Sequence, residues 1–160
     1  MGPLCNPAKA PHQLVGVFSP ALLHIEAQTL GALGIKRALV IHSTDGLDEI
    51  STTGPTMMCE YRDGRIADCT VEPGMFGLPK VPIDRLQGGT VAENAQTMLD
   101  ILKGAQGIKR DIVVLNAGGA LFAAGKSGSI AEGIHAACRA IDSGAAIRKF
   151  EALKEFTRHG

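Results

Sequence analysis

The sequence predicts an α/β fold: a mostly parallel sheet flanked by helices, with an added antiparallel hairpin. Three observations lead to this prediction. Short apolar, β-prone runs alternate with stretches of helical spacing, a strand–helix–strand unit fits within about 30 residues, and Asp63-Gly64 separates two further β-prone runs. The length of 160 residues suits one compact domain, which we expect to span residues 1–160.

The first half of the chain contains the strand–helix–strand unit. Gln13–Phe18 and Arg37–His42 are short apolar runs that read as buried strands. Between them, Pro20 suits the first turn of a helix that continues to about Leu33, with Gly34 just past its end. Because a strand–helix–strand connection of this length is a crossover, the two strands are expected to lie parallel.

The next segments predict a hairpin, a loop and a helix. Thr56–Arg62 and Arg65–Val71 flank Asp63-Gly64, a dipeptide that favours a two-residue turn. Glu72–Gly89 contains three prolines and is expected to form a surface loop. Thr90 and Glu93 have capping-box spacing, and an apolar stripe continues to Gly104.

The last part of the chain is predicted to be mainly helical. Asp111–Leu115 is a β-branched, apolar run, so we predict a third buried strand there. Helical stretches follow at about 117–124, 129–141 and 145–157.

Composition excludes several classes of protein. Lys and Arg total 16 and Asp and Glu total 16, so no general attraction to nucleic acid or anionic membranes is expected. No run approaches the roughly 18 apolar residues of a membrane span, and no signal peptide is recognisable. The four cysteines are isolated in the sequence, which is typical of reduced thiols in a cytoplasmic protein.

The most informative polar stretch follows the strand Arg37–His42. Asp48 and Glu49 are adjacent, and in a loop both carboxylates can face one hard cation such as Mg²⁺. The end of a parallel strand is where α/β proteins bind ligands. The alternative is that Asp45 or Asp48 caps a helix that starts near Leu47, with Glu49 solvated.

Other motifs favour structural roles. The stretch 116–127 ends in Gly-Lys-Ser like a phosphate-binding P-loop, but Ala120 occupies a position that the P-loop pattern gives to glycine. A helix that ends at Gly125 is therefore favoured over nucleotide binding at Lys126. No two histidines have the i, i+4 spacing of a helical zinc site, and for His42 we favour a hydrogen-bonded structural role.

Several pieces together resemble the anthranilate phosphoribosyltransferase family in order and spacing, across essentially the whole chain. They are Gly2-Pro-Leu-Cys-Asn-Pro7, Gly46-Leu-Asp-Glu-Ile-Ser51, Gly54-Pro-Thr56, Phe76-Gly-Leu78, Arg110-Asp-Ile-Val-Val-Leu-Asn-Ala117 and Ala140-Ile-Asp-Ser-Gly144. This family joins a small helical domain to a larger α/β domain. It transfers phosphoribose from phosphoribosyl diphosphate to anthranilate in tryptophan biosynthesis.

The resemblance implies specific roles for four residues. Asp48 and Glu49 match the acidic pair that binds Mg²⁺ against the diphosphate. Gly2 and Pro3 match the hinge segment that lies near the anthranilate. Without the family's N-terminal part, strand edges and helix faces are expected to be exposed, which favours a homo-oligomer.

Other family motifs do not occur in the sequence. These are the Gly-Thr-Gly-Gly-Asp phosphate loop, the His-Gly-Asn-Arg segment, and an arginine shortly before the Gly-Pro-Leu piece. Met1 stands where the family continues an existing domain, so we expect the C-terminal α/β part of a larger enzyme, inactive by itself. A binding or assembly module that kept the fold without catalysis is the alternative.

Overall fold

The computed structural model describes residues 2–158, and for Gly2 and Pro3 it describes the backbone alone. The strands are β1 (His12–Gly16), β2 (Arg37–Ser43), β3 (Thr56–Arg62) and β4 (Arg65–Val71). The α-helices are α1 (Leu23–Ala32), α2 (Val91–Leu102), α3 (Ile108–Ala123), α4 (Ile130–Asp142) and α5 (Ala145–Arg158). Short 3₁₀ helices cover Gly2–Cys5, Pro20–Leu22, Pro73–Phe76 and Ile83–Leu86.

The four strands form one sheet in the order β1-β2-β3-β4. β1 and β2 are parallel and are joined through α1, whereas β2–β3 and β3–β4 are antiparallel. The α/β class, the parallel crossover and the hairpin are therefore confirmed. The expectation of a mostly parallel sheet is wrong in its proportion, because only the β1–β2 pairing is parallel.

The predicted strand at Asp111–Leu115 is also wrong, because these residues lie inside α3. β-Branched residues favour strands only weakly, and tertiary contacts override that preference. Val114 and Leu115 lie on the buried face of α3, and this face continues to Gly118. There α3 meets α4 so closely that a Cβ added at Gly133 would lie 2.4 Å from the Gly118 carbonyl oxygen.

The sheet separates two hydrophobic cores. Side chains alternate across a strand, so successive residues of β2 enter different cores. Ala38 and Val40 pack on the side that α1 covers. Leu39 and Ile41 pack on the other side, against buried residues of α3 and α4. β2 is therefore buried on both faces, as its uninterrupted apolar run indicates.

The predicted hairpin turn, capping box and helix end are confirmed. Asp63 and Gly64 form the hairpin turn with φ values of 48° and 84°. The Thr90 hydroxyl accepts a hydrogen bond from the Glu93 amide, and the Glu93 carboxylate accepts one from the Thr90 amide, which completes the capping box of α2. α3 ends at Ala123, just before Gly125 with φ 67°, so this stretch is a helix end and not a phosphate loop.

No α-helix within residues 2–158 is both long and apolar enough to cross a lipid bilayer. The four cysteines, all of which lie in the described part of the chain, are free thiols.

Candidate functional site

The candidate site is the loop of residues 44–55, called here the acidic loop, which connects β2 to β3. It carries Asp48 and Glu49, whose side chains are exposed. A Cβ added at Gly16, the last residue of β1, would lie 1.7 Å from the Asp48 carbonyl oxygen. The Asp48 backbone therefore crosses directly over the carboxyl end of β1, at the edge of the sheet where α/β proteins bind ligands.

Asp45 holds the acidic loop in shape. Its carboxylate accepts hydrogen bonds from the Ser51 hydroxyl at 2.5 Å, from the Leu47 amide at 3.0 Å and from the Thr53 hydroxyl. The bond to Leu47 closes a short turn, and no helix starts there, so the alternative of a capped helix near Leu47 is wrong. Burial alone raises the pKa of Asp45, but the hydrogen bonds outweigh it and lower the pKa to about 2.

Asn116 of α3 is hydrogen-bonded to the backbone of the acidic loop. Its side-chain amide donates to the Ile50 carbonyl at 2.8 Å, and its carbonyl oxygen accepts from the Ile50 amide at 2.9 Å. Ile50 itself is buried in the core. This two-bond clamp therefore fixes the residue that directly follows Glu49, and it links the loop to α3.

The electrostatics of the acidic loop favour a bound cation. Burial raises the pKa of Glu49, and the negative charges of Asp48 and Asp45 raise it further. The two exposed carboxylates of Asp48 and Glu49 are oxygen ligands of the kind that Mg²⁺ uses, since Mg²⁺ keeps several waters and needs only one or two protein carboxylates. The residues present therefore fit a Mg²⁺ site.

Two further side chains lie beside the acidic loop. His42 of β2 places Nδ1 2.8 Å from the Val17 carbonyl oxygen, which confirms its hydrogen-bonded structural role. A cavity of about 370 Å³ borders the loop and is lined by Asp45, Thr53 and Lys80, among others. Lys80 thus places a positively charged side chain in the same cavity as Asp45, which the sequence alone did not indicate.

Gly2, Pro3 and Lys126 are the other residues that the sequence singled out. Gly2 and Pro3 belong to the 3₁₀ helix Gly2–Cys5, but their side chains lie outside the described part of the chain, and their role near anthranilate stays a prediction. Lys126 is an exposed residue after the end of α3.

Two of the residues that position the loop, Gly16 and Asn116, were not predicted from the sequence. A glycine inside a strand pattern often marks a close backbone approach, and this signal was present at Gly16. Asn116 had no comparable signal, because its partner Ile50 is far away in the chain and only the fold brings the two together.

Comparisons with known proteins relate the chain to a family. A model of a glycosyl transferase family, a/b domain, matches residues 1–147. The anthranilate phosphoribosyltransferase of Pelotomaculum thermopropionicum is 48% identical over 157 residues, which cover 98% of this chain and 46% of that protein. The corresponding protein of Symbiobacterium thermophilum is 46% identical, with the same shares covered.

Solved structures show the same relationship. The anthranilate phosphoribosyltransferase of Thermus thermophilus superposes with a TM-score of 0.89 at 38% identity, covering 98% of this chain and 46% of that one. The Saccharomyces cerevisiae enzyme in complex with PRPP and Mg gives a TM-score of 0.83 at 26% identity, covering 94% and 44%. The chain thus spans about half the length of the curated relatives it matches. These similarities show that the chain belongs to the glycosyl transferase family, in its α/β domain.

Proposed function

We propose that this chain forms the α/β part of an anthranilate phosphoribosyltransferase, in which Asp48 and Glu49 bind the Mg²⁺ that accompanies phosphoribosyl diphosphate. The observation that carries the proposal is the position of Asp48, whose backbone crosses the end of β1 and which, like the adjacent Glu49, has an exposed side chain. The similarity to enzymes of this name, one of them solved with PRPP and Mg, supports it. Gly2 and Pro3 are proposed to lie near the anthranilate.

The proposed reaction requires the protein mainly to position the substrates and to stabilise negative charge. Bound Mg²⁺ neutralises negative charge that develops on a diphosphate leaving group. The Asp48 and Glu49 carboxylates hold that cation, and Asp45 keeps the loop that carries them in one shape. The amine of anthranilate is already a nucleophile, so no covalent intermediate and no strong general base are required.

Metal binding by the chain tests the acidic pair directly. Mn²⁺, detected by electron paramagnetic resonance, serves as the probe and is competed off with Mg²⁺. We expect the double variant Asp48→Asn/Glu49→Gln to bind Mn²⁺ more weakly by about tenfold or more, because the site loses both charged ligands. Asp63→Asn is the matched control, since Asp63 is an exposed carboxylate in the hairpin turn at the other end of β3. Equal binding by all three proteins would refute the site.

A chimera tests the transferase activity. The matching segment of the Pelotomaculum thermopropionicum enzyme is replaced by this chain, and the disappearance of anthranilate fluorescence is followed with PRPP and Mg²⁺. We expect turnover, and a strong loss of it with Asp48→Asn/Glu49→Gln but not with Asp63→Asn. A chimera that folds but is inactive would favour the alternative of a non-catalytic binding or assembly module.

A further inference from the structure

We propose that His24, Cys59 and Asp68 form a second metal site, which binds Zn²⁺. Each residue comes from a different element: His24 from α1, Cys59 from β3 and Asp68 from β4. Their ligand atoms, one nitrogen, one sulfur and one oxygen, all lie within 4.8 Å of one another. No other group of three or more such side chains in residues 2–158 meets the same distance limit.

Pairing of β3 with β4 places the side chains of Cys59 and Asp68 next to each other. Cys59 and Asp68 are directly paired across the antiparallel β3–β4 ladder, so both point to the face of the sheet that α1 covers. Cys59 is fully buried in the core beside α1, while His24 and Asp68 form the outer rim, with 55% and 61% of their side chains exposed. The sulfur thus lies at the base of the site and the other two ligands lie at its solvent edge.

The spacing suits a tetrahedral Zn²⁺ ion after a small adjustment. Ligands about 2.0–2.3 Å from tetrahedral zinc stand roughly 3.3–3.8 Å from one another. The His24 Nε2 and Asp68 Oδ2 atoms are 2.8 Å apart and must separate slightly. Both side chains are exposed enough to rotate, and so they can adjust their positions around the buried sulfur.

The ligand set favours zinc over Mg²⁺. A thiolate and an imidazole are softer ligands than the carboxylates of the acidic loop, and Cys, His and Asp are all common ligands of Zn²⁺. Burial raises the pKa of the Cys59 thiol to about 12, and the hydrogen bond to Asp68 and its charge add to this. Without metal the thiol is therefore protonated; binding Zn²⁺ forms a sulfur–zinc bond and releases the thiol proton to solvent.

The fourth position of the ion is open to water. A cavity of about 330 Å³ next to the cluster is lined by His24 and Asp68, together with Pro20, Leu23, Met57, Met58, Cys69 and Thr70. Three protein ligands and one water are a common arrangement for zinc. Because the ligands come from α1 and from both strands of the hairpin, the bound ion would clamp the helix onto the sheet edge and stabilise the fold.

Cobalt absorption provides the test, with the untagged 160-residue chain and Co²⁺ as the probe. A cobalt–thiolate bond gives a charge-transfer band that the carboxylates of the acidic loop cannot produce. We expect this band in the parent protein, its displacement by Zn²⁺, and its loss in Cys59→Ser. Cys69→Ser is the matched control, because Cys69 follows Asp68 on β4 and is paired with Met58, which packs on the other face of the sheet.

Two exposed positions keep the test informative if Cys59→Ser fails to fold. His24→Gln and Asp68→Asn should each weaken Co²⁺ binding by more than about tenfold, since outer-shell groups alone change affinity by 10–100-fold. Zn²⁺ should raise the Tm of the parent and of Cys69→Ser, but much less that of His24→Gln. The absence of a thiolate band in the parent, or an unchanged band in His24→Gln and Asp68→Asn, would overturn the proposal; the three side chains would then simply be hydrogen-bonded to one another.

Discussion

Asp45 and Glu49 lie four residues apart on the acidic loop, yet their pKa values are shifted in opposite directions. Asp45 is surrounded by hydroxyl and amide donors, which stabilise its charged form. Glu49 is partly buried and has carboxylate neighbours, so its charged form is disfavoured until a cation arrives. One carboxylate therefore maintains the loop, and the other is available for a ligand.

The low pKa of Asp45 predicts a pH-dependent contribution to stability. Its pKa is about 2 in the folded chain, below the ordinary value of 3.8, so the stabilisation is present above about pH 4 and disappears as the pH falls through about 2. Allowing for partial exposure, Asp45→Asn should lower the free energy of unfolding by roughly 1–2 kcal/mol at pH 7. Urea unfolding at pH 7, 5 and 3 should show the gap to the parent narrowing only at the lowest pH. Asp63→Asn serves as the comparison and should show no such gap.

Gly16 predicts a steric effect on the same loop. Gly16→Ala would place a methyl carbon 1.7 Å from the Asp48 carbonyl oxygen, so the loop or the strand end must move. We expect a loss of about 2–3 kcal/mol in the free energy of unfolding and weaker Mn²⁺ binding. Gly74→Ala is a suitable control, because an added Cβ there meets nothing within 4 Å. Similar urea midpoints for the two variants would contradict this account.

At the scale of secondary-structure elements, the site depends on contacts between parts of the chain that are distant in sequence. The acidic loop connects β2 and β3, but it is positioned by β1 through Gly16 and by α3 through Asn116. The residues predicted as a further strand belong to α3 instead. This helix contacts the loop through the side-chain amide of Asn116 and not through backbone pairing of the kind that strands make.

Asn116→Ala should release the loop from α3. The change leaves the buried Ile50 amide and carbonyl without their partner, at a cost of about 1–3 kcal/mol. Hydrogen exchange at the Ile50 amide should accelerate, as should exchange at neighbouring amides of the loop. Asn94 makes a similar two-bond clamp on Gly89 at an exposed position, so Asn94→Ala should cost distinctly less. Unchanged exchange at Ile50 would show that Asn116 does not hold the loop.

At the scale of the whole molecule, Arg37 links the sheet to the helices on one side. This buried arginine, on β2, donates to the Glu60 carboxylate of β3 at 2.7 Å and to the Phe122 carbonyl oxygen of α3 at 2.6 Å. Its guanidinium also lies 3.7 Å from the centre of the Phe122 ring. We propose that these connections make the chain a single folding unit.

Arg37→Met tests that proposal. We expect a loss of about 3 kcal/mol, because Glu60 keeps a partly buried charge without its partner. Adding Glu60→Gln should recover part of the loss, which a double-mutant cycle measures. Arg62→Met should have little effect, since Arg62 and Asp63 form an exposed pair. Urea unfolding in two separate steps in the parent would argue against a single unit.

Elements with local signals could be predicted from the order of residues alone, and so could the family resemblance. The hairpin turn at Asp63-Gly64, the capping box at Thr90 and the helix end at Gly125 depend on residues within a few positions of one another, and each was predicted correctly. The acidic pair was found because adjacent carboxylates after a buried strand are visible without any structure.

Features that depend on distant partners became visible only in the folded chain. The run Asp111–Leu115 becomes helical because α3 buries one face against the core and another against α4, which outweighs its β propensity. Three contacts join different parts of the fold: Gly16 with Asp48, Asn116 with Ile50, and the cluster of His24, Cys59 and Asp68. Spacing along the chain carries no information about such contacts, because they arise only when the sheet and its helices have assembled.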